Sequence, residues 1–210
     1  TATNLTQASY SARIIASDPQ GLTGIGSFTF SATNTPPTVA TIPAQNAGRN
    51  QAFSLGLAAF FADVNNDPLT YSATGLPAGL TLNTATGAIT GAATAALGSY
   101  TVTVSASDGR GGSIGTSFTL NVVNSAPVAP TIPNQTATAG AAWSYTVPAF
   151  TDPNGDVLTY SASGLPAWMS FNATTRVLSG TAGPVGSWTI NITATDPSGV
   201  QANRSFTVTT

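Results

Sequence analysis

The 210-residue chain contains no Lys, Glu, His or Cys, and only 6% of its residues are charged. Its five basic residues are all Arg and its seven acidic residues are all Asp, for a net charge of −2. Without Cys and His there is no disulfide, no thiolate nucleophile, no soft-metal site and no usual general base. Five scattered arginines form no basic stripe, so nucleic acid is not expected as a partner. Only hard, oxygen-seeking metal ions suit the remaining side chains.

Long apolar runs are also absent. No run approaches the roughly 20 residues that cross a bilayer, so we expect no membrane insertion, and the opening residues are not expected to be a signal peptide. Hydrophobic residues make up 41% of the sequence, which is enough to build packed cores. The composition therefore predicts a soluble globular protein. Because the sequence opens on Thr1, we expect a processed chain or a fragment.

The sequence consists of repeats about 90 residues long. NTPPTVATIPAQ at 34–45 recurs as NSAPVAPTIPNQ at 124–135. GSYTVTVSASDGRGG at 98–112 matches GSWTINITATDPSGV at 186–200 and also ASYSARIIASDPQGL at 8–22. This register predicts two full repeats preceded by the C-terminal strands of an incomplete one. The predicted units are 1–33, 34–123 and 124–210.

Apolar and polar residues alternate in the second half of each repeat. The alternating apolar positions are Tyr100, Val102, Val104, Ala106, Phe118, Leu120 and Val122, then Trp188, Ile190, Ile192, Ala194, Phe206 and Val208. A period of two is typical of strands with one buried face, and clusters of Gly, Pro, Asn and Asp mark turns between them. Seven or so short strands per repeat, without helical periodicity, predict an all-β fold of tandem immunoglobulin-like sandwiches without disulfides.

Residues 1–33 supply only two strands. Tyr10, Ile14, Phe28 and Phe30 face a core that the sequence does not contain, and a lone hairpin is marginally stable in water. Two explanations remain open. The preceding strands belong to a longer array, or another subunit supplies them, as in strand-complemented fibres.

Asp-x-Asn-x-Asp occurs once in each full repeat, at 63–67 and at 152–156. Such a loop directs alternate oxygens toward one point, and Asp108 or Asp196 adds a carboxylate from a neighbouring strand end. Calcium takes six to eight such oxygens. Alternatively, these residues only form turns, since Asp and Asn hydrogen-bond their own backbone. Retention of Asp at the recurring positions favours calcium, bound weakly because the loops lack a bidentate Glu.

Two motifs resemble known families. GLPAGLTLNTATGAITG at 75–91 resembles the central signature of bacterial putative-Ig repeats, and FTDPNGDVLTYSASGLPAWMSFN at 150–172 is similar to the dystroglycan-type cadherin-like domain. The resemblance covers essentially all of 34–210. It implies tandem cadherin-like extracellular modules of large surface, secreted or phage-borne proteins, but no single shared activity.

The resemblance also implies where calcium binds. In cadherin-like domains the ligands come from a linker Asn or Asp, an Asp-containing loop and an Asp that ends a later strand. The corresponding residues are Asn34, Asp63, Asn65, Asp67 and Asp108 in repeat 34–123, and Asn124, Asp152, Asn154, Asp156 and Asp196 in repeat 124–210. True cadherins use glutamates to hold several ions, so we expect at most one ion per junction here.

The sequence also raises two other possible functions, glycoside hydrolysis and carbohydrate binding. Paired aspartates can hydrolyse glycosides, but these lie on short, solvated turns with no apolar wall to raise a pKa, so we expect no enzymatic activity. Carbohydrate binding is the alternative. Trp168 stands where the earlier copy has Gly79, and its ring either stacks on a sugar or covers the end of its own sandwich.

The linkers NTPPT and NSAPV are short and contain proline, which favours a semi-rigid rod over a flexible string. The sequence has few charged residues that could prevent exposed strand edges from pairing with other chains, so lateral pairing of like subunits is also expected. We therefore expect a non-enzymatic extracellular structural or adhesive module, a stalk or fibre-forming segment. Its partners would be neighbouring repeats or like subunits. The alternative is a glycan-binding module appended to a secreted enzyme or adhesin.

Overall fold

The structure is a computed structural model that describes residues 8–210. Between residues 8 and 123 the chain forms eleven strands, and a 3₁₀ helix at Leu57–Ala59 precedes β6. These strands are β1 Ala8–Ser17, β2 Thr23–Ala32, β3 Thr38–Val39, β4 Gln45–Gly48, β5 Ala52–Gly56, β6 Phe61–Ala62, β7 Thr70–Thr74, β8 Leu80–Leu82, β9 Ala88–Ala92, β10 Gly98–Ser107 and β11 Ser113–Val123. Within the described part of the chain, no helix has the length and apolar character needed to cross a membrane.

The second full repeat follows the same plan with seven strands. They are β12 Gln135–Thr136, β13 Ala142–Thr146, β14 Thr159–Ser163, β15 Met169–Asn172, β16 Val177–Thr181, β17 Ser187–Thr195 and β18 Gln201–Thr209. An isolated bridge between Val128 and Thr151 stands where the first full repeat pairs β3 with β6.

Each full repeat is a sandwich of a four-stranded and a three-stranded sheet. The strand orders are β4-β11-β10-β7 and β5-β9-β8 in the first repeat, and β12-β18-β17-β14 and β13-β16-β15 in the second. Two pairings are parallel: β4 with β11 in the first repeat and β12 with β18 in the second. The other pairings in these sheets are antiparallel. The chain thus has the all-β, immunoglobulin-like fold that the alternation predicts.

The apolar face of each larger sheet carries the core. Val102, Val104 and Ala106 of β10 are buried, while the residues between them point away from the core. Ile190, Ile192 and Ala194 of β17 repeat the arrangement. Period-two side chains point to opposite faces, and each fully buried aliphatic side chain contributes about 1.5–3 kcal/mol. Each repeat therefore has its own hydrophobic core.

The hairpin β1–β2 has the pairing of β10–β11 but not its burial. Tyr10 pairs with Phe30 as Tyr100 pairs with Leu120. Leu120 is fully buried, whereas Phe30 is 39% exposed. Among residues 8–210 no second sheet covers the apolar face of this hairpin. The assignment of 1–33 to an incomplete repeat stays a prediction, and its first seven residues lie outside the described part.

Candidate functional site at the repeat junctions

Five of the seven aspartates organise a loop in the same way. In each, carboxylate Oδ1 accepts the backbone N–H groups two and four residues further along the chain, at 2.7 to 3.3 Å. The five are Asp18, Asp63, Asp108, Asp152 and Asp196. A carboxylate satisfies two N–H groups that a tight loop leaves without a strand partner.

Each linker asparagine contacts the aspartate that ends the later strand. Asn34 Nδ2 donates to Asp108 Oδ2 at 2.6 Å, and Asn124 Nδ2 donates to Asp196 Oδ2 at 2.6 Å. Asp108 and Asp196 are both buried. The structure therefore brings together the linker and strand-end members of both predicted sets.

The linker also holds the Asp-x-Asn-x-Asp loop. The backbone N–H of Thr35 donates to Asn65 Oδ1 at 2.8 Å, and that of Ser125 donates to Asn154 Oδ1 at 2.6 Å. Linker, loop and strand-end aspartate are thus connected at one pole of each full repeat. All ten predicted ligands lie in these two clusters.

Several buried oxygens in the two clusters have no hydrogen-bond partner. They are Asn34 Oδ1, Asp63 Oδ2, Asn124 Oδ1, Asp152 Oδ2 and Asp156 Oδ2. Carboxylate and amide oxygens are the donors that calcium takes, and a buried oxygen without a partner is unfavourable. Over residues 8–210, however, no three acidic side chains lie close enough to hold a metal ion by themselves. The donors therefore fit calcium in chemical type, provided that the asparagine oxygens take part.

Arginine occupies one oxygen of the last aspartate in each loop. Arg110 Nε lies 2.6 Å from Asp67 Oδ1, and Arg49 Nη2 lies 2.5 Å from Asp156 Oδ1. The two carboxylate side chains are only 10% and 12% exposed. The expectation of solvated turns is therefore wrong for these aspartates, because a guanidinium packs over each of them.

Asn154 is the centre of the contact between the two full repeats. Its side chain donates from Nδ2 to the backbone oxygen of Arg49, and its backbone oxygen accepts from Asn50 Nδ2 at 2.8 Å. Its Oδ1 accepts from Ser125 and its N–H donates to Asp152. All four polar groups of Asn154 are therefore paired, and the residue is 1% exposed.

The hydrogen bonds lower the pKa of both strand-end aspartates. At Asp108 the Asn34 amide has the largest effect, and together with the backbone N–H groups of Arg110, Gly112 and Asp108 itself it outweighs burial, so the pKa lies below the ordinary 3.8. At Asp196 burial is the largest single influence and acts to raise the pKa, but the Asn124 amide and the neighbouring N–H groups together outweigh it. Both carboxylates are therefore held in the charged form.

Trp168 lies at the opposite pole of the second repeat. Its ring is half-buried and packs edge-to-face against Trp143 at 6.0 Å and Trp188 at 5.7 Å between centroids. All three rings pack against the core of that repeat. Trp168 thus covers the end of its own sandwich, and sugar stacking by this ring stays a prediction.

Replacing Asn34 by Ala will raise the pKa of Asp108, since the main donor is lost while burial remains. Because the pKa of Asp108 is lower in the folded state than the unfolded value of 3.8, this carboxylate stabilises the fold at any pH above 3.8. That stabilisation is lost as the pH falls through the folded-state pKa. The variant will therefore lose stability at neutral pH and depend less on pH in the acid range. Titration of the Asp108 carboxyl by NMR measures the shift.

Asn83→Ala is the control, because Asn83 makes a similar turn within the same repeat without contacting Asp108. An unchanged Asp108 pKa in Asn34→Ala would contradict the account.

Sequence comparison identifies the family. The family model described as "Putative Ig domain" matches residues 36–123 and again 126–210. A "Serine-rich adhesin for platelets" from Staphylococcus aureus strain USA300 is 35% identical over 145 residues. That match covers 69% of this chain and 6% of the adhesin. The chain thus spans only a small part of the relative's length.

Comparison of structures finds distant likenesses. Human Protocadherin-24 EC1-2 superposes with a TM-score of 0.41 and 18% identity, covering 84% of this chain and 98% of that one. An endo-fucoidan hydrolase from glycoside hydrolase family 107 gives 0.37 and 21%, covering 97% and 34%. The sequence match over both full repeats, together with the two disulfide-free sandwiches, assigns the chain: it belongs to the putative Ig domain family, in two tandem copies.

Proposed function

We propose that this chain is a non-enzymatic, extracellular structural or adhesive module, a semi-rigid stalk segment of a larger surface or secreted protein. The observation that carries the proposal is the direct contact between the two full repeats, centred on the fully paired and buried Asn154. A hinge between independent modules would leave these polar groups in water. Their burial restricts how one repeat can turn against the next.

The family and the relative support the extracellular and adhesive part of the proposal. The relative at 35% identity is called an adhesin. The chain contributes no general base of the usual kind, since it has no His, and its buried aspartates all have structural partners. The Asp152–Asp156 loop contacts the preceding repeat, and the Asp63–Asp67 loop binds the linker at Thr35 and Arg110 of its own repeat. Assembly of such segments into a fibre through like subunits is part of the same proposal.

Calcium binding at the junctions is a second, finer proposal. Asn124, Asp152 and Asp156 each keep a buried oxygen without a partner in the second cluster, as Asn34 and Asp63 do in the first. A bound calcium ion would neutralise these oxygens and add to the stiffness of the junction. Weak affinity is expected, because the clusters lack Glu and arginine already pairs with one carboxylate in each.

Small-angle X-ray scattering of the chain in a chelator tests the stalk. We expect one rigid arrangement of the two full repeats to fit the curve, because the junction contacts need no added ion. Inserting Gly-Gly-Gly-Gly-Ser between Val123 and Asn124 separates the repeats and provides the matched control. That variant should require an ensemble of orientations. If the wild-type scattering curve needs the same ensemble as the insertion variant, the proposal of a semi-rigid stalk is wrong.

Calorimetric titration of calcium into chelator-treated protein tests the ion. We expect dissociation constants of about 10⁻⁴–10⁻³ M, the range of extracellular modules, and a higher thermal midpoint with calcium. Asp152→Asn should reduce the response of the second cluster, whereas Asp18→Asn, in the hairpin turn, should not. The absence of both heat and midpoint change at millimolar calcium would end this proposal and leave the stalk intact.

A further inference from the structure

We propose that an arginine–asparagine turn of the preceding repeat, Arg49–Asn50, docks on the Asp152–Asp156 loop of the following repeat and selects which repeat can precede it. In this junction the Arg49 guanidinium supplies the positive charge that a bridging ion supplies in a calcium-dependent one. The inference rests on the proposed stalk, since it names the residues that fix the junction. It does not require calcium.

The docking turn is a tight loop with a defined shape. The N–H of Gln51 donates to Gly48 at 3.0 Å, and Asn50 has a left-handed backbone with φ of 59°. Arg49 and Asn50 therefore stand at the tip. At the edge of the first repeat that faces the second, Arg49 contributes its backbone oxygen and its side chain, and Asn50 contributes its side chain.

Three hydrogen bonds join the tip to the loop. Two of them are amide hydrogen bonds across the interface: Asn50 Nδ2 donates to the backbone oxygen of Asn154, and Asn154 Nδ2 donates to the backbone oxygen of Arg49. Arg49 Nη2 adds the ion pair with Asp156 Oδ1. Beside them, Gln51 Nε2 donates to Ser125 Oγ in the linker at 2.7 Å. This set combines one charge pair with directional amide contacts, which gives specificity as well as attraction.

The first full repeat provides an internal comparison. Its loop carries Asn65 at the position of Asn154, with the same two bonds: Asn65 Oδ1 accepts from the linker N–H of Thr35, and the Asn65 N–H donates to Asp63 Oδ1. Within the described residues no docking turn packs on that loop, and Asn65 is exposed. The loop motif alone therefore does not bury this asparagine. The turn of the preceding repeat does.

The arginine that pairs with the last aspartate of the loop comes from a different part of the chain in each repeat. In the first, Arg110 of the same repeat pairs with Asp67. In the second, Ser198 stands at the position of Arg110, and the pairing arginine comes from the preceding repeat. The last aspartate of each loop thus pairs with one arginine, which comes from its own repeat at Asp67 and from the preceding repeat at Asp156. A repeat with Ser at this position requires a predecessor with arginine in its turn.

The equivalent turn of the second repeat does not carry the docking residues. Gly140 donates to Ala182 as Asn50 donates to Ala93, and Ala141 donates to Thr138 as Gln51 donates to Gly48. At this aligned turn Ala139 and Gly140 replace Arg49 and Asn50. The far pole of the second repeat therefore cannot form the same contact with a repeat of its own kind. The first repeat can therefore precede a repeat of the second kind through this contact, whereas the second repeat cannot.

Distance measurements between spin labels test the docking directly. The chain has no cysteine, so Thr101→Cys and Thr189→Cys, both exposed, place one label on each repeat without further changes. In a chelator, pulsed electron spin resonance should give a narrow distance distribution. Arg49→Gln should widen it by about twofold, because a small interface without its charge pair permits relative motion of the two repeats.

Two further variants separate the charge pair from a general loss of structure. Arg49→Lys keeps one positive donor and should stay close to the wild-type width. Arg110→Gln breaks the ion pair inside the first repeat and should lower its thermal midpoint while leaving the distance distribution narrow. A distribution in Arg49→Gln as narrow as in the wild type would overturn the inference while leaving a rigid stalk. A wild-type distribution that is broad in chelator and narrows only with calcium would assign the junction to the ion.

Discussion

A carboxylate that accepts two backbone N–H groups is the interaction on which the poles of this protein depend. It closes the β1–β2 turn at Asp18 and shapes the loops and strand ends of both full repeats. Because Oδ1 is used for the loop, Oδ2 remains for a second partner. At Asp108 and Asp196 that partner is the linker asparagine. The local turn and the attachment of the linker are thus two uses of one side chain, which accounts for an aspartate in a chain that otherwise avoids charge.

The junction follows from this local order. Once Asp152 has fixed the loop, Asn154 projects its amide toward the preceding repeat, where Arg49 and Asn50 complete its hydrogen bonds. The buried amide tolerates no missing partner without a penalty of about 1–3 kcal/mol. The contact between the repeats is therefore made by polar groups that satisfy one another. Calcium, if bound at the remaining oxygens, would add to a contact that already exists.

Much of the fold could be predicted from the sequence because it depends on local periodicity. The alternation in β10 and β17 determines which residues enter the core, and repeated turn residues mark the strand ends. The loop aspartates were also predictable, since Asp-x-Asn-x-Asp forms its bonds within five residues. Arg49 was not: its carboxylate partner is 107 residues away, and no repeat-wide pattern marks it, because Ala139 stands at its position in the next copy. The expectation of solvated turns was wrong for Asp67 and Asp156 because the arginines that cover them are distant in the sequence.

The central claim is that direct side-chain contacts hold the two full repeats in one orientation. Residual dipolar couplings of backbone N–H vectors in chelated, weakly aligned protein test it most directly. The account predicts that one alignment tensor fits residues 34–123 and 124–210 together, with equal magnitude and orientation in both. Tensors of clearly different magnitude for the two repeats would mean independent motion and would contradict it.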